Sequence, residues 1–157
     1  DRFKVHPLDD AVRFIRLEPF ADFMADGYHI IPVPADHDKR ETCLIYIIEK
    51  DGKCLLYGND TGMNLSDEAW ECIFSHKYDL ISMDATMGRM KTEGYHMGLA
   101  DDIAFAKMLE EKGCIHSDTV RVISHFSHNG GMTHKELEEF AEEHGMVASY
   151  DGMKIRF

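Results

Sequence analysis

Two apolar runs joined by an Asp-Gly turn constrain this chain more than any other feature of it. Cys43-Leu44-Ile45-Tyr46-Ile47-Ile48 precedes Lys50-Asp51-Gly52-Lys53, and Cys54-Leu55-Leu56-Tyr57 follows. Asp-Gly between apolar runs is the strongest short-range hairpin signal. Neither run alternates with polar residues, so both faces of the two strands are expected to be covered. Upstream, Tyr28 to Val33 reads as a strand stopped by Pro34, and Val12 to Leu17 as another that ends near Pro19. Downstream, helices and strands alternate. Ser66 caps a helix through about Ser75, and Tyr78 to Met83 is a short buried strand. Leu99 to Lys112 is a helix closed by Gly113, and Val120 to Ser124 is a strand. Thr133-His134-Lys135-Glu136 is a capping box that opens a further helix. Met146 to Tyr150, a second Asp-Gly at Asp151-Gly152, and Met153 to Phe157 read as a closing hairpin.

Helices over one side of a sheet, with strands stacked on the other, give a layered α/β sandwich. No Pro/Gly/Ser-rich linker interrupts the 157 residues, so positions 1–157 are expected to form a single domain. The opening Asp-Arg-Phe-Lys lacks a Met, which is expected of a processed or cut segment.

Charge and composition exclude several functions. Twenty-nine acidic against 17 basic side chains give a net charge of -12, which disfavours a nucleic-acid partner, since such a surface needs clustered Lys and Arg. No apolar run approaches the ~18–20 residues of a membrane span. Cys43, Cys54, Cys72 and Cys114 form no Cys-x-x-Cys and read as reduced thiols of a cytoplasmic protein rather than a zinc cage.

Chemistry concentrates where strands end. The strand from Tyr28 runs into Pro34-Ala35-Asp36-His37. The second hairpin strand runs into Gly58-Asn59-Asp60-Thr61-Gly62, and the strand from Val120 into Ser124-His125-Phe126-Ser127-His128-Asn129. If these strands share a sheet, three loops on one edge gather His37, Asp60 and His125. Imidazole and carboxylate suit zinc, manganese or iron. Each residue also has a plain alternative: a hydrogen-bonded surface histidine, or turn chemistry for the Asp of Asn-Asp-Thr-Gly. Asp84 follows a buried strand, where it either orients a ligand imidazole from behind or caps a turn.

Taken together, Gly-Asn-Asp-Thr-Gly after a buried strand, Ser-His-Phe-Ser-His-Asn after another, and the terminal Tyr-Asp-Gly-Met resemble the C-terminal half of the metallo-β-lactamase fold. The resemblance is to its branch of cyclic phosphodiesterases and tRNA 3′-processing ribonucleases. It implies an αββα sandwich of which this chain is the C-terminal portion. It implies that His37 and His125 each bind one ion of a dinuclear centre, zinc before manganese or iron, and that Asp60 bridges the pair. It further implies that His96, in Tyr95-His96-Met97-Gly98-Leu99, is a catalytic proton donor to the leaving group, with His128 and Asn129 lining the substrate cleft. The family's His-x-His-x-Asp-His run is absent from this sequence, so the metal site is expected to be incomplete.

The function expected on this basis is metal-dependent hydrolysis of a small phosphate ester by the complete protein, with this chain inactive or weakly active. The alternative is a non-catalytic interaction module that keeps the fold. A sheet face stripped of its usual cover is expected to seek a partner, for which a homodimer is the simplest form.

Overall fold

The computed structural model describes residues 15–157. Seven strands form one sheet in which sequence order is also spatial order. β1 (Phe23–Ala25), β2 (Tyr28–Pro34), β3 (Leu44–Lys50) and β4 (Lys53–Gly58) make an antiparallel meander. β5 (Leu80–Asp84), β6 (Val120–Ser124) and β7 (Val147–Ala148) continue it in parallel, each reached through a helix. These crossover helices are α1 (Asp67–Phe74), α2 (Leu99–Glu111) and α3 (His134–Glu143).

The Asp51-Gly52 turn forms as the sequence requires. Both residues have positive φ, 52° and 78°, the geometry of a type I′ hairpin turn. Asp26 and Gly27 repeat it at 50° and 80° and pair β1 with β2, a hairpin not anticipated from the sequence.

Parallel crossovers are right-handed, which puts all three helices on one face of the sheet. The core agrees. Ile45, Ile47, Leu56, Ile81, Met83 and Ile123 are inaccessible to solvent and cluster with Ala69, Ile73, Phe105, Leu109, Leu137 and Ala141 of the helices. On the other face Leu55, Leu80 and Val122 floor a hollow of about 850 Å³, bordered by residues 149–153 and Ile155. The second face is therefore only partly covered by this chain.

Two expected elements differ. Positions 12–14 of the strand Val12 to Leu17 lie outside the described residues, and Ile15 to Leu17 are not strand. The closing hairpin does not form. Only Val147–Ala148 is strand, and it pairs with β6. Gly152 has a φ of 84° but Asp151 is not left-handed, and Met153 N–H bonds Tyr150 O at 3.0 Å. That is a type II turn, which splays strands where a type I′ turn would pair them.

The topology matters for the site. β2, β4, β5 and β6 run the same way and end at one edge, because β2 and β4 flank the antiparallel β3. Behind that edge, Gly98 packs directly on the β5–α2 loop. A Cβ there would lie 2.7 Å from Met90 O and 2.9 Å from Gly88 O. Both contacts are backbone and cannot rotate away. Gly98→Ala is expected to cost about 1–3 kcal/mol of unfolding free energy, measured by urea denaturation.

Candidate metal centre

Four strand ends supply one cluster. Asp36 and His37 follow β2, Asp60 follows β4, Asp84 ends β5, and His125 follows β6. His96 comes from the loop that leads into α2. Loop is clamped to loop. Thr61 Oγ accepts the Asp36 N–H at 2.9 Å, Asp36 O accepts the Gly62 N–H at 2.8 Å, and Asp36 Oδ2 accepts the Asn64 N–H at 2.9 Å. Gly62 has no side chain because a Cβ would collide with the Asp36 carboxylate and the Tyr95 and Gly94 backbone.

Asp60 Oδ1 is the meeting point. His96 Nδ1 lies 3.5 Å from it, His37 Nε2 3.6 Å and His125 Nε2 3.9 Å. Asp84 Oδ2 lies 3.2 Å from His96 Nδ1 and 3.4 Å from His125 Nδ1. Asp60, Asp84, His96 and His125 each offer a donor atom, all within 4.8 Å of one another. Donors about 2.1 Å from a shared zinc stand about 3.4 Å apart in a tetrahedron. The spacing and the donor types both fit a divalent ion.

Hydrogen bonds fix which nitrogen each ring presents. His37 Nδ1 lies 2.9 Å from Tyr95 O. A carbonyl only accepts, so Nδ1 carries the proton, and Nε2 turns a lone pair toward Asp60. Thr86 Oγ donates to His125 O at 2.9 Å. Its one proton is thereby used, so at 2.7 Å it accepts from His125 Nδ1–H. His125 Nε2 is again left with its lone pair toward Asp60. His96 differs: the nitrogen it turns to Asp84 Oδ2 at 3.2 Å, Nδ1, is the same one that lies 3.5 Å from Asp60 Oδ1.

Burial grades across the cluster. The Asp84 side chain is inaccessible and accepts N–H bonds from Thr61 (3.2 Å) and Thr86 (2.9 Å). The Asp60 side chain is 50% exposed and that of His125 40%. Asp60, Tyr95 and His125 have φ of 62°, 68° and 61°, three of the six left-handed non-glycine residues among those described. Such backbone stores about 1–3 kcal/mol per residue and gathers at functional sites.

His37, Asp60, Asp84, His96 and His125 are thus brought together. His128 and Asn129 are not part of that cluster: they sit exposed on the 3₁₀ turn His128–Gly130, where Ser127 Oγ accepts the Asn129 N–H. Sequence reasoning missed Thr86, whose partner is a ring 39 positions away. It also missed the Tyr95 carbonyl, which leaves no side-chain trace.

No family model matches the sequence, and no curated protein matches it. Solved structures do. YhfI from Bacillus subtilis, a metallo-β-lactamase fold protein, is 18% identical with a TM-score of 0.63 over 88% of this chain. The isothiocyanate hydrolase from Delia radicum gut bacteria is 18% identical, TM-score 0.62, over 90%. Zn(2+)-bound PqqB from Methylobacterium extorquens is 16% identical, TM-score 0.62, over 90%. The chain has the metallo-β-lactamase fold. It spans 54%, 60% and 55% of those three chains, as a C-terminal portion of that fold would. None of its helices is long and apolar enough to cross a membrane, among the described residues.

If Thr86 sets the His125 tautomer, Thr86→Val removes the acceptor and keeps the shape. Zinc affinity, read by calorimetry, is expected to fall about 10–100-fold. An unchanged affinity would show that the ring needs no such partner.

Proposed function

We propose that this chain carries part of the metal site of a hydrolase that cleaves small phosphate esters. The observation that carries the reading is the pair of imidazoles, His37 and His125, each locked with its Nε2 lone pair toward the Asp60 carboxylate. In this reading His37 and His125 each hold one of two divalent ions, zinc before manganese or iron, and Asp60 spans both. Such ions lower the pKa of water toward neutrality and neutralise charge developing on a phosphoryl group.

The chain's own groups divide the remaining work. Asp84 accepts from His96 Nδ1–H and fixes that ring, which leaves Nε2 to exchange a proton with the departing oxygen. Thr86 and the Tyr95 carbonyl hold the two ligand rings in register. His128 and Asn129, exposed beside His125 in sequence, contact the ester from the cleft side. The phosphate-ester reading is supported by this pairing of a carboxylate-centred cage with a carboxylate-held histidine, and by the sequence's resemblance to the phosphodiesterase branch. The chain spans just over half the length of the structures it matches, so its hold on metal is expected to be weak and its turnover slow.

Bis-p-nitrophenyl phosphate tests this in the presence of excess zinc or manganese. Slow hydrolysis that follows metal occupancy is expected, together with its loss in Asp60→Asn. His96→Gln, assayed at saturating zinc, is expected to lower the rate about 10²-fold or more. A metal-loaded chain no faster than Asp60→Asn refutes the phosphate-ester reading.

A second copy of this chain is proposed to cover the half-open sheet face. That face carries Leu55, Leu80 and Val122 under the hollow, with Tyr57 44% exposed at its margin and Phe157, 43% exposed, in a smaller pocket beside Leu55. The net charge of -12 opposes self-association, so added salt is expected to promote it. Light scattering is expected to give twice the 18.0 kDa chain mass at high ionic strength, and a monomer after Leu55→Asp. A monomer in both cases refutes the dimer.

A further inference from the structure

The loop that carries His96 also carries an aromatic ring that ligates nothing. Gly94 and His96 bridge to each other, which puts Tyr95 at the tip of a tight turn. Its φ of 68° is left-handed, a conformation that favours glycine. Burial does not repay that strain, since Tyr95 is 53% exposed. The backbone beneath the ring is fixed all the same. Tyr95 O takes the His37 Nδ1–H at 2.9 Å, and Glu93 O accepts from Asn64 Nδ2 at 3.4 Å. Gly62 packs so closely that a Cβ there would lie 2.9 Å from Tyr95 N. The ring is thus carried on a rigid base while it meets solvent.

It stands beside the cluster. Its centroid lies 6.1 Å from that of His37, edge to face at 78°. The His37 ring in turn lies 4.9 Å from His96 and turns Nε2 to Asp60 Oδ1 at 3.6 Å. Tyr95 is therefore one side chain removed from the carboxylate on which the cluster converges, and both are about half exposed. A tyrosine on a rigid base gives up little conformational freedom on binding, and its face and edge favour another flat ring over an alkyl group.

We propose that the Tyr95 ring determines specificity, by stacking on a flat aromatic group of the ester in preference to a small alkyl group. The group concerned is the one that stays on phosphorus, because His96 serves the departing oxygen. Tyr95 takes no part in bond breaking. The proposal deepens the phosphate-ester reading and rests on it.

Bis-p-nitrophenyl phosphate and methyl p-nitrophenyl phosphate test this, since both release p-nitrophenolate and differ only in the group that stays. Their intrinsic reactivities differ, so the quantity read is the ratio of kcat/KM for the two esters, compared between wild type and variants at saturating zinc. A change in how Tyr95 holds His37 slows both esters alike and cancels in that ratio. Tyr95→Gly suits the turn, keeps the carbonyl and removes the ring. It is expected to lower the ratio, bis-aryl over methyl, about 10-fold, through the KM of the bis-aryl ester. Tyr95→Phe keeps the ring and is expected to keep the ratio. A ratio in Tyr95→Gly equal to that of the wild type overturns the proposal. So does a fall in Tyr95→Phe as large as in Tyr95→Gly, which assigns the effect to the hydroxyl. Hydrolysis of both esters with an unmoved ratio removes this proposal alone. A zinc-loaded wild type no faster than Asp60→Asn on either ester removes the phosphate-ester reading along with it.

Discussion

Asp84 is where the packing of the sheet meets the chemistry of its edge. It closes a strand whose five residues are all buried, and its side chain is wholly withdrawn from water. An acid in that position survives only if its oxygens are satisfied. The chain does so with Thr61 N–H from the loop after β4, Thr86 N–H from the loop after β5, and the His96 ring, while His125 stands 3.4 Å away. One carboxylate therefore ties the loop after β4 to two points of the loop after β5. The edge is ordered because leaving any of those partners unmade would strand a buried charge.

From that anchor the ligand geometry follows by counting protons. A carbonyl can only accept, and a hydroxyl has one proton to give. Tyr95 O thus dictates the tautomer of His37, and the Thr86 bond to His125 O dictates that of His125. Both rings are set before any ion arrives, so binding need not include the cost of turning them. The left-handed backbone at Asp60, Tyr95 and His125 is the counterpart of this order, strain held in place by the surrounding bonds.

How much of this was readable beforehand depends on range. The Asp51-Gly52 hairpin and the Thr133–Glu136 capping box were legible because each is closed by residues within a few positions of one another. The same signal at Asp26-Gly27 is faint, because the strand before it, β1, is only three residues long. At Asp151-Gly152 the signal misled, since Asp-Gly permits a type II turn as readily as a hairpin, and Val147 was already paired with Val122 of β6. At the site, residue types at strand ends pointed to His37, Asp60 and His125. That Asp84 would be wholly buried, or that Thr86 would accept from a ring 39 positions away, is a product of register between β5 and β6 and leaves no local mark.

The arrangement separates orientation from reaction by depth. The inward groups hold the rings in place: Asp84, which also offers a donor oxygen to the cluster, is inaccessible, and Thr86 is 7% exposed. Groups that would meet an ion lie outward, with Asp60 half exposed. His125 also borders the hollow on the other sheet face, so the cluster and the partly covered face adjoin.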